Sequence, residues 1–454
     1  MESRAGEKVG SRTKIEVDYL ARVEGETAMV VELDGEPFLQ LRIFEPPRFF
    51  EGFLVGRKYD EVGDIVSRIC GICPVSHMIT AIQAVERATG IEVSEQTATL
   101  RRVMCLSQIV ASHLVHLYVL AMPDYYGYPG IVGMQERFRD RVLRLMRMKD
   151  VMNKLTGIIG GRALHPVTAL PGGFTAIPKP RELANVRDNL KAIRQDARQV
   201  AHDIADFKVP DFHAPCEHLA LNVEERYAID GGAIVSDKGF SIAVEQYGEH
   251  FREAEVPYAF AKKSVLASQA DDARVEGVSP DQGRGQASDR GRDARDTGTI
   301  RVGALARMNN KFDKLQERTK SVAQEIGFSP PDDNPFHNNL AQSLEVVDGI
   351  EQCIQILEST SFEDEELFAR PEAGEGGAIT EAPRGLLYHW YRIDRQGVVE
   401  EANIVTPTSH NFLVIERDLK ELVTQHRDLD APKLKLLCEQ LVRAYDPCFS
   451  CSVH

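Results

Sequence analysis

The sequence is short of positive charge. Lys and Arg number 54 against 69 Asp and Glu, a formal charge of −15. A nucleic-acid binder needs a basic surface to neutralise phosphates, and a polybasic membrane patch needs clustered Lys and Arg, so both classes are excluded. The chain also lacks a run of closely spaced cysteines of the kind that ligates an iron–sulfur cluster. Its eight cysteines, spread over 454 residues, form no disulfide scaffold. No charged stretch leading into an apolar core opens the chain, so no secretory leader is expected. Internal repeats are missing as well. The expectation is a soluble acidic protein whose 43% apolar residues suffice for a substantial core.

Long uncharged runs are also scarce. The exception is Val103 to Met122, "VMCLSQIVASHLVHLYVLAM", long enough for a bilayer. It carries Ser107, Gln108, Ser112, His113 and His116, so it reads as a helix buried in a large core, with no membrane span. Strand-like alternation is confined to the front: "KIEVDYL", "TAMVVEL" and "PFLQLRIF", the last two separated by a hairpin turn at Asp34-Gly35. From Asp60 the spacing becomes helical. "VSHMITAIQAVERATG" stops at Gly90, and Ser94 is placed to cap a long helix ending before Pro123. Further helices are predicted over 134–155, 180–207, 305–326, 338–357 and 432–445, with an irregular, partly strand-like stretch at 215–245. Residues 268–299 are nearly free of large apolar groups and rich in Gly, Asp and Arg, and so are expected to be a disordered insertion. The fold class that follows is mainly α with a small N-terminal antiparallel β portion (α+β). The β-rich portion falls within residues 1–59, and a single domain spans 1–454.

What the chain does have is two cysteine pairs, one near each end. The first reads Cys70-Gly-Ile-Cys73-Pro-Val-Ser-His77 and the second Cys448-Phe-Ser-Cys451-Ser-Val-His454. A Cys-x-x-Cys turn lets the chain curl back so that two sulfurs reach one metal. One pair alone could be a redox dithiol, and two pairs a structural zinc site, although zinc ribbons hold their pairs about 15–20 residues apart. Thiolates select soft or borderline metals, nickel and iron among them. Cys105, Cys216, Cys353 and Cys438 stand singly and read as small buried hydrophobes.

"RICGICPVSH" and "DPCFSCSVH" resemble the two signature ends of the nickel–iron hydrogenase large subunit, and the resemblance covers most of the chain. It implies a large helical bundle around a buried metal site. The implied activity is reversible heterolytic cleavage of dihydrogen to protons and electrons. Cys70 and Cys448 would bind nickel terminally, and Cys73 and Cys451 would bridge nickel to an iron carrying carbon monoxide and cyanide. The resemblance further implies that His454 binds magnesium (or iron) with Glu51 of "RFFEGFLVGR" and the backbone carbonyl of Ile404. Precursors in the family are cleaved after the residue matching His454, so a chain stopping there is similar to the mature form.

Other site residues also rest on the resemblance. Glu24 in "ARVEGE" matches the proton-relay glutamate beside the terminal cysteine Cys448. Arg384 in "EAPRGLLYHW" matches the arginine over the metals, with Asp124 and Asp446 as its carboxylate partners. Pro407 and Thr408 in "VTPTSHN" would face cyanide, and His77 is expected to orient its neighbours by hydrogen bonding. His113 and His116 read as structural, and His165 in "GGRALHPVTALPGGF" as a contact near the electron exit. Since the chain has no cluster-binding cysteine run, electrons must leave through another polypeptide, which the resemblance implies is an iron–sulfur small subunit. "CGICPVSH", the short length and the "SVH" ending resemble cytoplasmic bidirectional hydrogenases linked to NAD(P) or a deazaflavin, which implies diaphorase-type or other electron-transfer subunits. Two other readings compete. One is a non-catalytic scaffold related to the quinone-site subunit of complex I, which lacks the four cysteines. The other is a protein stapled by structural zinc.

Overall fold

The structure, a computed structural model, describes residues 14–33, 35, 37–267, 299–367 and 369–454. The insertion predicted at 268–299 lies outside the described residues apart from Thr299, as does Asp34 of the expected hairpin turn.

The helical core forms where apolar periodicity is strongest. Glu95–Val115 packs on Arg139–Gly160 and on Asn338–Ser359, and the latter also takes Pro180–Ala192 and Arg194–Ala205 against its flank. Ser94 caps the first of these, its hydroxyl accepting the Thr97 amide N–H at 3.0 Å. This helix does not end before Pro123. It widens into a π-helical segment, His116–Ala121, and continues through Met122–Tyr126. Proline lacks an amide N–H and crowds the carbonyl four residues back; the wider i→i+5 turn accommodates both. Over Glu95–Tyr126, 83% of the most apolar window is buried inside the protein, in line with the reading of this stretch as a core helix.

Two predicted helices are split. The 180–207 stretch breaks at Ile193, and the 305–326 stretch becomes Ala304–Lys311, a 3-10 turn at Phe312–Lys314, and Glu317–Glu325. The helix predicted at 134–155 starts later, at Arg139, because Ile131–Met134 forms its own 3-10 turn. Asn338–Ser359 and Ala431–Ala444 lie close to their predicted bounds.

The N-terminal sheet is an antiparallel meander of Lys14–Val17, Thr27–Glu32 and Phe38–Ile43. It shares a second core with the helices Pro407–Gln425 and Ala431–Ala444. The expectation of only a small β portion at the front is corrected: the strand-like pieces expected at 215–245 form Glu217–Asn222, Ala233–Ser236 and Ser241–Ala243, and further strands lie beyond them. Gly374–Ala382, Gly385–Ile393 and Val399–Val405 form an antiparallel sheet. Ile300–Arg301, Glu217–Asn222, Ala233–Ser236 and Ser241–Ala243 form a second, and Phe251–Val256 pairs with Ala259–Leu266 in a hairpin. The 374–405 sheet shows little period-2 alternation because "GLLYHWYRI" is buried almost throughout. Its partner strand "GEGGAITEA" has three glycines and little strand propensity. This sheet carries the helix Pro74–Thr89 on its face and so brings residues 70–89 up to residues 384–407.

Candidate metal centre

The first cysteine loop is built by a helix start. A 3-10 turn, Ser67–Ile69, delivers Cys70 in extended backbone, and Cys73 then opens the helix Pro74–Thr89 with Pro74 in its first turn. Proline suits that position, since its missing N–H has no partner there in any helix. The turn aims the amides of Ile72 and Cys73 at Cys70 Sγ, 3.2 and 3.3 Å away. The second loop follows the helix Ala431–Ala444. There Thr408 Oγ1 accepts the Cys448 amide N–H at 2.9 Å, and a single turn, Phe449–Ser452, places Cys451.

The two loops meet. Cys70 Sγ lies 3.6 Å from Cys448 Sγ, and Cys73 Sγ lies 3.6 Å from Cys451 Sγ. All four sulfurs fall within 4.8 Å of one another, and all four residues are buried. Metal–sulfur bonds of about 2.3 Å put neighbouring sulfurs on one metal just under 4 Å apart, so the donor set fits a soft metal. Electrostatics agree. Hydrogen bonds from Cys448 and Cys451 hold the Cys70 thiol well below its ordinary pKa, whereas burial pushes Cys448 and Cys451 well above theirs. Four thiolates cannot share this pocket without a cation among them.

Glu24 is tied to the second loop. Its carbonyl accepts the Phe449 N–H at 2.9 Å, and its Oε2 sits 2.9 Å from Cys448 Sγ and 3.2 Å from the Ser450 amide. Gly25 makes this approach possible. Its φ is +88°, and a Cβ there would lie 2.5 Å from the Ser450 amide nitrogen. Burial, then the Cys70 thiolate, raises the Glu24 pKa above the usual carboxylate value.

Beside the sulfurs is a cavity lined by Cys73, His77, Arg384, Leu387, Pro407 and Cys451, among others. Arg384 comes from the turn between two strands and is held by Asp446: Nε donates to its carbonyl at 2.7 Å and Nη2 to Oδ1 at 2.8 Å. The remaining nitrogen, Nη1, is buried with no hydrogen-bond partner. Asp124 does not join this pair, which corrects the expected assignment. Its carboxylate is taken by Arg443, at 2.6 Å, and by Arg22, because the π-helical segment aims it at the N-terminal loop.

His77 Nδ1 lies 3.2 Å from His389 Nε2, and His389 Nδ1 lies 2.6 Å from the Tyr391 hydroxyl. Burial lowers His77 to about 3 and His389 well below the histidine value, so both rings are neutral. His389 and Tyr391 were not predicted; "LLYHWY" carries no spacing signal that marks them. Nor was Arg48, whose Nη2 donates to the Ile69 carbonyl at 2.7 Å and to the Ser450 carbonyl. It ties the residue before Cys70 to the residue before Cys451.

Glu51, Ile404 and His454 are also brought together. Glu51 Oε1 accepts the Ile404 amide N–H at 2.9 Å and lies 3.7 Å from His454 Nε2. The recorded contact of Ile404 is thus through its amide, where its carbonyl was expected. Burial opposes charge on both side chains, yet each stabilises the other: Glu51 is lowered and His454 raised. One carboxylate and one imidazole suit a hard cation only if water supplies most of its ligands. His113 pairs with Glu345 at 2.8 Å, and His116 with Gln342 and the Arg443 carbonyl. His165 reaches the Ser67 carbonyl at 2.9 Å, just before the first loop, between the exposed Leu164 and Val167.

A model of the nickel-dependent hydrogenases matches residues 48–133 and 337–454, the two segments that carry the cysteine pairs. The alpha subunit of sulfhydrogenase 1 from Pyrococcus furiosus is 32% identical over 453 residues, 97% of each chain. A vhu chain of the F420-non-reducing hydrogenase from Methanocaldococcus jannaschii is 28% identical, over 90% of this chain and 98% of its own. A solved NAD+-reducing [NiFe]-hydrogenase in its H2-reduced state has the same fold, with a TM-score of 0.81 at 24% identity, covering 97% of this chain and 99% of that one. Four converging buried sulfurs and a full-length match thus lead to one assignment: the chain belongs to the nickel-dependent hydrogenase family, as a large, catalytic subunit.

Proposed function

We propose that the chain cleaves dihydrogen heterolytically and reversibly, and that its four cysteines would hold a nickel–iron pair, Cys70 and Cys448 serving nickel and Cys73 and Cys451 serving both metals. The sulfur pairing supports this division, because Cys70 sits against Cys448 and Cys73 against Cys451, each at 3.6 Å. When bound, the pair supplies a Lewis acid that polarises dihydrogen and takes up its electrons, its iron carrying carbon monoxide and cyanide. Arg384 and Pro407 line the cavity beside the sulfurs, and the unpaired Arg384 Nη1 suits an anionic ligand such as cyanide. Thr408 holds the Cys448 amide and so fixes the second loop. Glu24 receives the proton from Cys448 Sγ and passes it outward. Glu51 and His454, beside Ile404, would hold a magnesium (or iron) ion near the C-terminal end.

The described residues include no second cysteine cluster among groups able to hold a metal, which supports electron exit through an iron–sulfur small subunit. His165, with exposed Leu164 and Val167 beside the Cys70 loop, gives that partner a contact surface. The fold shared with an NAD+-reducing enzyme supports additional diaphorase-type or other electron-transfer subunits, with NAD(P) or a deazaflavin as the acceptor.

The single observation that carries the mechanism is the 2.9 Å contact between Glu24 Oε2 and Cys448 Sγ. Glu24→Gln is expected to keep nickel and iron at wild-type content and to lower hydrogen–deuterium exchange by roughly a hundredfold, the usual range for a lost acid–base group. Unimpaired exchange removes Glu24 from the mechanism. Infrared spectra of the same sample test the iron ligands through their carbonyl and cyanide stretching bands.

A further inference from the structure

Away from the four metal-site sulfurs, a fifth cysteine has chemistry of its own. Cys216 stands just before the strand Glu217–Asn222, and His218 lies on that strand. His218 Nδ1–H donates to Asp237 Oδ2 at 2.7 Å, while Asp237 Oδ1 accepts the His218 amide N–H at 2.9 Å. Ring and backbone are therefore fixed by one carboxylate. The other ring nitrogen, Nε2, faces Cys216 Sγ at 3.8 Å. A sulfur, an imidazole and an orienting carboxylate in this order form the arrangement that activates a thiol nucleophile.

Arg301 completes the group. Its Nη1 lies 3.3 Å from His218 Nε2, and its guanidinium is held by Asp418 at 2.7 Å and by the Tyr445 hydroxyl at 3.2 Å. Its fixed positive charge favours a Cys216 thiolate. Burial and that same charge oppose a charged His218, but Cys216 and Asp237 outweigh them and raise the His218 pKa. Moving the proton from Sγ to Nε2 leaves the net charge of the cluster unchanged, and the two buried charges it creates face each other and their fixed partners Arg301 and Asp237. Burial opposes a Cys216 thiolate, but Arg301 and His218 outweigh it and hold the thiol below its ordinary pKa. Cys105, Cys353 and Cys438 are the contrast: burial alone dominates there and pushes each of them up. Cys216 is also the most accessible of the eight cysteines, at 7% exposure, with the exposed Pro215 beside it.

We propose that Cys216 is a peroxide-reactive thiolate, a redox modification site separate from the metal centre. The Cys216 thiolate attacks one oxygen of a hydroperoxide. An S–O bond forms as the O–O bond breaks, the sulfur is oxidised by two electrons and the peroxide is reduced. His218 Nε2–H gives its proton to the departing hydroxide or alkoxide, leaving a sulfenic acid on Cys216.

The test uses the assembled enzyme, purified without air and given a brief pulse of hydrogen peroxide. The sample is denatured in one alkylating agent, reduced with arsenite, and labelled with a heavy isotopic form of the agent. Peptide-resolved mass spectrometry then reads each cysteine separately. The heavy label at Cys216 is expected to exceed that at Cys105, Cys353 and Cys438 by roughly tenfold or more. His218→Asn should remove most of that excess near neutral pH, and Asp237→Asn, at the cluster's more open rim, serves if His218→Asn does not fold. Heavy label at Cys216 no greater than at the three control cysteines overturns the proposal.

Discussion

At the scale of single residues, function rests on side chains that hold others in place. Arg384 uses two of its nitrogens on Asp446 and leaves Nη1 unpartnered in a buried setting. Lysine offers a compact ammonium in place of this fork. Arg384→Lys is therefore expected to fold and to keep its metals, yet to lose more than about tenfold in turnover, a cost of roughly 1.4 kcal/mol in the barrier; steady-state hydrogen uptake checks this. Arg384→Met instead leaves Asp446 buried and unpaired, and should cost on the order of 3–5 kcal/mol in thermal unfolding. Arg48 presents a different case, because it contacts neither cavity nor sulfur but binds carbonyls from both cysteine loops. Arg48→Met is expected to reduce nickel content, measured by elemental analysis, while far-ultraviolet circular dichroism stays unchanged. The cysteines were legible because their spacing is itself the signal. Arg48 was not, since a lone arginine in "PPRFFEG" becomes a clamp only when residues 69 and 450 arrive beside it.

At the scale of elements, the decisive contact is a helix lying on a glycine-faced strand. The helix Pro74–Thr89 starts at the metal loop and runs across Gly374–Ala382. At Gly376 an added Cβ would lie 2.6 Å from the Ala88 amide nitrogen and 2.8 Å from the Arg87 carbonyl carbon. Backbone atoms cannot swing aside as a side chain can, so Gly376→Ala must push the helix away from the sheet. The expected cost is about 1–3 kcal/mol, read as a lower Tm, with part of the metal content lost because Cys73 caps the displaced helix. The same strand shows why the β content was under-read. Three glycines in "GEGGAITEA" lower strand propensity, and their use appears only in the packed structure, where Gly374 and Gly376 meet the helix at Ala88 and Gly377 meets the Tyr388 ring. Ser94 and the helix it caps were legible, because a cap and its apolar stripe are local. The passage of that helix through Pro123 was not, since it depends on a π-wide turn held by tertiary packing.

At the scale of the whole molecule, buried charge holds distant segments together. Arg307 binds Glu345 through two nitrogens, at 2.6 and 2.7 Å, and Glu381 at 2.9 Å, and it also donates to the Ala382 and Pro383 carbonyls. Arg307→Met takes the guanidinium from the buried Glu345 and Glu381, leaving them only His113 and the more distant Lys311 as basic partners, and should destabilise the protein by about 3–5 kcal/mol, measurable by denaturant unfolding. Glu416 sets a pH dependence. It joins the Leu41 amide to the Tyr258 hydroxyl across two sheets, and burial raises it to about 7 from an ordinary value of 4.5. Its folded pKa exceeds its unfolded one, so the unfolded chain loses this proton first. Stability should fall as pH rises from about 4.5 to about 7, by on the order of 1–3 kcal/mol from this group. Glu416→Gln is expected to remove that decline, shown by a smaller gap between Tm values at pH 5 and pH 8. A metal held by the four cysteines would act on the same scale, because it would join Cys70 to Cys448 across 378 positions. Protein made without nickel is expected to melt at a lower temperature than the loaded form, as ligand linkage requires.

The sequence by itself determined the donor set: two Cys-x-x-Cys turns, each fixed within four residues, supply the sulfurs suited to a soft or borderline metal. It also determined the long core helices, whose periodicity and caps are local properties. Only the tertiary structure decided which sulfurs pair, that Asp446 and not Asp124 holds Arg384, and that a late three-stranded sheet carries the centre. Those outcomes depend on contacts between residues hundreds of positions apart, and burial erases the alternation that would have announced them.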